Sequence, residues 1–224
     1  MIAFLGMGLL GSNFVRALRR RGEEVQVWNR SPERALALAD VATRVCDEPA
    51  QAVRGATRIH LTLSDDAAVD DVLERAQPDL SKGAILIDHT TTSPSGTRAR
   101  AQHWAARGIA FQHAPVFMGP QNALDATGVM LASGDRARFD ALAPELSKMT
   151  GKLQYVGAEP ERAAAFKLLG NSFLMFMTAG LTDMFALGNA FDIAPQEAAT
   201  LFSFFNPGAA MAVRVERLLS AKYD

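Results

Sequence analysis

The apolar run Ile2–Leu5 ends directly in Gly6-Met7-Gly8-Leu9-Leu10-Gly11, and the helical pattern of Ser12–Arg21 follows at once. No other stretch restricts the fold as strongly, because a G-x-G-x-x-G turn between a strand and a helix belongs in a parallel βαβ unit. In that setting the first glycine permits a tight turn and the second lets the backbone approach a pyrophosphate. The third lets helix and strand pack closely. Gly6, Gly8 and Gly11 hold those places, and Met7, Leu9 and Leu10 complete the loop. A pyrophosphate would sit at the positive end of the Ser12–Arg21 helix. The alternative is a glycine-rich strand-to-helix turn with no ligand.

The pattern of short apolar runs and helical segments continues through the first two-thirds of the chain. Val25–Trp28, Ile59–Leu63, Ile85–Asp88 and Ala110–Gln112 read as strands; Pro32–Ala39, Asp66–Arg75 and Pro94–Ala106 read as helices. Val129–Ala132 and Leu153–Val156 read as late strands around a helix at Ala137–Met149. This alternation predicts an α/β fold: an N-terminal Rossmann-type, doubly wound, mostly parallel sheet. After Gly157 the pattern changes. From Glu161 to Ala190 there is no proline, and apolar residues lie on nearly every face. A helix apolar all round has to be enclosed, and too few residues follow Ala190 to enclose it. A second subunit or a longer natural chain is expected there. The domain reading is therefore 1–158 for nucleotide binding and 159–224 for an all-helical, C-terminally short second domain.

Composition excludes several function classes. Lys and Arg number 23 against 24 Asp and Glu, so no electrostatic case exists for nucleic acid or an anionic membrane. Cys46 is the single cysteine and the four histidines lack ligand spacing, so neither a disulfide framework nor a metal site is expected. The first eleven residues lack a basic leader segment and are broken by glycines. The longest apolar run, Leu168–Thr182, is broken by Asn171 and bounded by Lys167 and Asp183. A buried helix explains it better than a membrane span, and the expected location is cytoplasmic.

The end of the second strand bears on the cofactor. An NAD site usually carries Asp or Glu there to hold the ribose 2′-hydroxyl. Here Asn29-Arg30-Ser31 follows, with Arg34 one turn on. Arg30 can bond a 2′-phosphate and Ser31 can add a donor, which favours NADP(H) over NAD(H); otherwise Arg30 is a solvated loop arginine. Leu63-Ser64-Asp65 and Asp88-His89-Thr90-Thr91 end two further strands and should border the cofactor. Ser64 and Asp65 read equally well as helix caps, and Asp65-Asp66 with Asp70-Asp71 as a solvated surface.

Taken in order, Gly6–Gly11, Asn29-Arg30-Ser31, Leu63–Asp66, Asp88–Thr91, Ala114-Pro115-Val116 and Lys167–Asn171 resemble the β-hydroxyacid dehydrogenases along essentially the whole chain. That family includes 3-hydroxyisobutyrate dehydrogenases and glyoxylate/succinic semialdehyde reductases. It is related to the imine reductases and shares the NAD-binding domain of 6-phosphogluconate dehydrogenase. The resemblance implies hydride transfer between nicotinamide and a carbonyl carbon, with an interdomain-helix lysine as general acid and base. By position that lysine is Lys167, with Asn171 four residues on to hold the ammonium or the substrate oxygen. On residues alone, a lysine snorkelling from a buried helix fits as well. The resemblance also implies a homodimer through the C-terminal helices.

The substrate loop departs from the family's Asp-Ala-Pro-Val-Ser-Gly-Gly. It reads His113-Ala114-Pro115-Val116-Phe117-Met118-Gly119, so Phe117 stands for the serine and Met118 for the first glycine. Thr91 and the backbone at Met118 and Gly119 remain as candidate substrate contacts. A larger or less polar carbonyl or imine becomes the expected substrate, unless Phe117 only packs against the interdomain helix. Family members continue through further helices to a Lys-Asp element, and the pair Lys222…Asp224 comes too early to match it. Three readings stand: an NADP(H)-dependent β-hydroxyacid dehydrogenase, an imine or ketone reductase, and an NADP(H)-binding module without turnover.

Overall fold

The computed structural model describes residues 1–42 and 44–221, so the pair Lys222…Asp224 lies outside the described residues. Two compact units divide the chain, Met1–Gly170 and Asn171–Asp224.

The first unit is built on six strands: β1 (Ile2–Leu5), β2 (Val25–Trp28), β3 (Arg44–Val45), β4 (Arg58–Leu61), β5 (Ile85–Asp88) and β6 (Ala110–His113). All pair in parallel, in the order β3-β2-β1-β4-β5-β6. The order reverses between β1 and β4, the switch point where such sheets bind ligands. Alternation along β1 explains how the sheet is buried on both faces. Ile2 and Phe4 enter one core cluster with Phe14, Val27 and Ile87; Ala3 and Leu5 enter the other with Ile59, Leu86 and Trp104. Burying a side chain the size of Phe4 is worth roughly 1.5–3 kcal/mol.

Seven helices accompany these strands: α1 (Leu9–Arg20), α2 (Pro32–Leu36), α3 (Pro49–Val53), α4 (Asp66–Ala76), α5 (Pro94–Ala106), α6 (Pro120–Asp125) and α7 (Arg136–Leu146). Helix α1 starts at Leu9, not Ser12, because Gly8 already has the extended geometry of an N-cap. The late strands do not extend the large sheet. β8 (Val129–Ala132) joins β9 (Lys152–Tyr155) in parallel and the short β7 (Val116–Phe117) in antiparallel, as a separate three-stranded sheet. Asp66 and Asp70 stay at the surface, half-exposed and exposed, and from there both bond the buried Arg100, at 3.0 and 2.7 Å.

Helix α8 (Arg162–Ala190) begins in the first unit. Its opening turn is tied down there, since Ala163 and Ala164 are buried and the Ala163 N–H donates to Ser133 Oγ at 2.9 Å. For that reason the compact unit extends past the composition change at Gly157. By length and composition alone α8 is long and apolar enough to cross a membrane. The second unit continues α8 and adds α9 (Pro195–Ala199) and α10 (Pro207–Ser220). It leaves Phe173, Met175, Phe176 and Leu187 of α8, and Leu218 and Leu219 of α10, exposed.

Candidate active site

The glycine loop takes the geometry its spacing demands. Gly6 has φ +102°, and a Cβ there would strike the Thr62 carbonyl oxygen. Gly11 lies so close to the turn that a Cβ would run into the Gly6 carbonyl oxygen and Thr62 Oγ1. Thr62, at the end of β4, holds this contact by donating its hydroxyl to the Gly6 carbonyl at 2.9 Å. Gly8 is different: a Cβ there would meet nothing within 4 Å. That open cradle, at the N-terminus of a helix with no acid in its first turn, fits a pyrophosphate. Met7 plays a structural part. Its side chain is in the core, and its N–H donates to Asn29 Oδ1 at 2.8 Å.

Asn29 also donates from Nδ2 to the Ser31 carbonyl at 2.9 Å, so its amide ties the glycine loop to the loop after β2. Beside it opens a cavity of ≈ 290 Å³ whose walls include Gly8, Asn29, Arg30, Ser31, Arg34 and Ser64. Ser31 is the N-cap of α2 but makes no side-chain cap bond. Among the described residues, neither Arg30 nor Arg34 has an ion-pair partner. Two guanidinium groups and a spare hydroxyl therefore line the wall where a 2′-phosphate would lie. No acid directly follows β2, although Asp71 of α4 lines the same cavity. Asp65 settles the capping question, because it caps α4 by accepting from the Ala68 N–H at 2.8 Å.

A second cavity, of ≈ 350 Å³, shares Gly8, Thr62, Leu63 and Ser64 with the first. Leu9, Leu10 and Gly11 of α1, the segment His89-Thr90-Thr91, Val116, Met118 and Lys167 complete its wall. The threonines are set by backbone contacts: Thr90 Oγ1 accepts from the Leu63 N–H at 3.0 Å, and the Thr90 N–H donates to Asp88 Oδ1 at 2.9 Å. His89 is buried, its Nδ1 lying 2.8 Å from the Ala114 carbonyl and its Nε2 3.0 Å from His60 Nδ1. A carbonyl only accepts, so His89 Nδ1 carries the proton and His60 Nδ1 donates to His89 Nε2. Burial lowers the His89 pKa to about 4, and it pushes His60 well below the usual histidine range, so both rings are neutral. Burial alone would raise the Asp88 pKa, but the His113 ring 3.6 Å away and the Thr90 N–H hold it below the carboxylate range.

Lys167 projects from the first turns of α8 and is 9% exposed. It has no ion pair or hydrogen bond among the described residues, and burial lowers its pKa. Its Nζ lies 4.2 Å from the centroid of the Phe117 ring. Phe117 does not line the cavity directly, whereas Met118 and Thr91 do. The Gly119 N–H is already engaged, donating to Asn122 Oδ1 at 2.8 Å, so it is not free for a substrate anion. Asn171 belongs to the second unit. Sequence reasoning gave Thr62 no role and did not find the His60–His89 contact. Only proximity across strands identifies them, and no local spacing carries that information.

A parallel sheet with its switch point beside a glycine turn, an open pyrophosphate cradle and a joined second cavity defines a dinucleotide-binding Rossmann protein. The chain belongs to the family of the NAD binding domain of 6-phosphogluconate dehydrogenase, whose model matches residues 1–157, and is of the β-hydroxyacid dehydrogenase-like type. Its site is one for a nicotinamide cofactor. Among relatives, the cytokine-like nuclear factor N-PAC of Homo sapiens is 29% identical over 227 residues, covering 96% of this chain and 39% of that protein. An uncharacterized oxidoreductase of Shewanella frigidimarina is 28% identical over 160 residues, covering 70% of this chain and 55% of that one. The chain thus spans about two fifths (39%) of the length of the N-PAC relatives it matches. Of solved structures, a Streptomyces aurantiacus imine reductase superposes with TM-score 0.89 at 26% identity, covering 98% of this chain and 76% of that one. A Mycobacterium tuberculosis 3-hydroxyisobutyrate dehydrogenase with L-serine gives 0.81 at 24%, covering 92% and 71%, a likeness of fold.

Proposed function

We propose that the chain carries an NADP(H)-dependent oxidoreductase site. It moves a hydride between nicotinamide and the carbonyl or hydroxyl carbon of a small molecule, with Lys167 giving the proton in reduction and taking it in oxidation. One observation carries this reading: Lys167 is a buried residue without a counter-ion among the described residues, on the wall of a cavity that shares Gly8, Thr62, Leu63 and Ser64 with the dinucleotide cleft. When bound, the nicotinamide ring supplies or accepts the hydride. Lys167 serves the proton at the substrate oxygen, and burial moves its pKa toward the working range where a general acid is most effective. Thr91 offers the substrate a hydroxyl, and Leu10, Leu63, Val116 and Met118 exclude water around it. Arg30, Ser31 and Arg34 support NADP(H) over NAD(H).

Two observations favour other readings. The 26% likeness to an imine reductase, with Phe117 at the family's serine position, favours a C=N or ketone substrate under the same scheme. The likeness to N-PAC, named as a nuclear factor, favours a module that binds NADP(H) without turnover. NADPH oxidation against a panel of aldehydes, keto acids and cyclic imines separates them. Lys167→Met should lower turnover by orders of magnitude and leave NADPH affinity nearly intact. Wild-type turnover in that variant removes Lys167 from the mechanism, and NADPH binding without consumption supports the module. The exposed apolar side chains of the second unit support a homodimer through its helices. A stable monomer in sedimentation at micromolar concentration would contradict that.

A further inference from the structure

Phe117 and Lys167 are fifty positions apart in sequence and meet ring face to ammonium, 4.2 Å from centroid to Nζ. That separation is well inside the ~6 Å reach of a cation–π contact. No carboxylate and no hydrogen-bond acceptor engages this ammonium among the described residues, so the ring face is its one electrostatic partner there. The tip of the ring is held as well. A Cβ at Gly170, on the same helix, would come within 2.6 Å of Phe117 Cε1, so the ring rests on bare α8 backbone. The Phe117 backbone is pinned in turn, since β7 pairs Phe117 with Val129. At Gly128 (φ +79°) a Cβ would lie 2.8 Å from the Phe117 carbonyl oxygen.

Beyond the glycine turn, which the pyrophosphate would take, the neighbouring cavity offers an anion hydroxyl groups and one charged side chain. Lys167 is the one charged side chain among its lining residues, because His89 is neutral above pH values of about 4. Asp88 and His113, the nearest other titratable groups on β5 and β6, face each other at 3.6 Å. The Gly119 N–H is spent on Asn122, and Leu9, Leu10, Leu63, Val116 and Met118 are apolar. A carboxylate-bearing substrate would meet Lys167 as the one charged side chain of that lining, and pairing with it would draw the ammonium away from the reacting oxygen.

We propose that Phe117 is the positioning and specificity-determining residue of this site: its ring face holds the Lys167 ammonium where an anionic partner would otherwise be needed. The site therefore takes an uncharged carbonyl or imine with an apolar substituent and discriminates against a carboxylate. The substrate class rests on the reading of Lys167 as proton donor; the ring–ammonium contact does not.

The test uses the full chain with NADPH bound. Titration of ¹³C-dimethylated lysines by NMR reads the ammonium without turnover, and the Lys167 resonance is the one missing in Lys167→Met. Phe117→Leu keeps the bulk and removes the π face, and it should lower the Lys167 pKa by about one unit. Phe117→Tyr should titrate as wild type. Gly170→Ala, which pushes the ring aside with Phe117 intact, should reproduce the downward shift. Substrate class is read with one aldehyde ending in a methyl ester and the same aldehyde ending in a carboxylate. The ester should be preferred by about tenfold or more in kcat/KM, and Phe117→Ser should narrow that ratio. A Phe117→Leu titration equal to wild type, or equal use of acid and ester, overturns the proposal. Wild-type turnover in Lys167→Met instead overturns the proton-donor reading, and the titration still reports on the ring.

Discussion

Acidification should destabilise the first unit well before its carboxylates protonate. His89 is enclosed on all sides, and burial lowers its pKa from 6.5 to about 4. Between those values the unfolded chain binds a proton that the folded chain refuses. The stability is therefore complete above about pH 6.5 and is lost as pH falls toward about 4. At ~1.36 kcal/mol per unit, His89 alone accounts for about 3 kcal/mol, a large share of the ~5–15 kcal/mol typical of a domain. His60, lowered by burial and then by the charge of His89, adds to the loss in the same window. Asp88, Glu145 and Glu161, whose pKa values lie below their usual range, lose their contributions only below about pH 4.5. Urea unfolding can be followed by tryptophan fluorescence, because both tryptophans, Trp28 and Trp104, are buried in the first unit. Between about pH 6.5 and 4.5 the slope should be roughly 2–3 kcal/mol per pH unit for two rings. His89→Asn, which keeps an N–H donor at that position, should halve it. A flat profile across that window, or an unchanged slope in the variant, would refute the assignment of neutral, buried rings.

The other expectations concern the nucleotide site. Gly8→Ala should leave the unfolding free energy unchanged, since open space surrounds that position, yet weaken NADPH binding about tenfold or more by filling the cradle. Gly11→Ala should instead cost roughly 1–3 kcal/mol or more, because its Cβ meets the Gly6 backbone as well as Thr62 Oγ1; equal effects of the two would contradict the division of roles. Arg30→Ala should raise the KM for NADPH by roughly 10–100-fold, the worth of a charged hydrogen bond, with the KM for NADH nearly unchanged. Asp65→Ala should lower the urea midpoint by about 1 kcal/mol equivalent, and Ser64→Ala by less than about 0.5, because only Asp65 caps α4.

Much of the nucleotide half was legible because its signals are local. The Ile2–Leu5 run, the glycine spacing, and Pro32 and Pro94 at their helix starts each act over a few residues, and the structure shows the corresponding elements. The elements that escaped are short. β3 and β7 have two residues each, too few for any period to show, and exist because a neighbouring strand offers hydrogen bonds. The place of β8 and β9 in a separate sheet was hidden for the same reason, since strand character does not specify a partner. The surface reading of Asp66 and Asp70 holds, but their contact with Arg100 was hidden because Arg100 comes from another helix.

The amino-acid sequence by itself determined the parallel α/β scaffold, the glycine turn at the end of β1 and the absence of an acid after β2. These follow from backbone sterics and from periodicities of two and about 3.6 residues, which need no distant contact. Tertiary structure alone decided the rest: that Asn29 braces the glycine loop, that His60 and His89 share one proton chain, and that Phe117 faces Lys167 across Gly170. Those contacts join residues tens of positions apart, and their strength depends on desolvation, which exists only once the chain has closed around them.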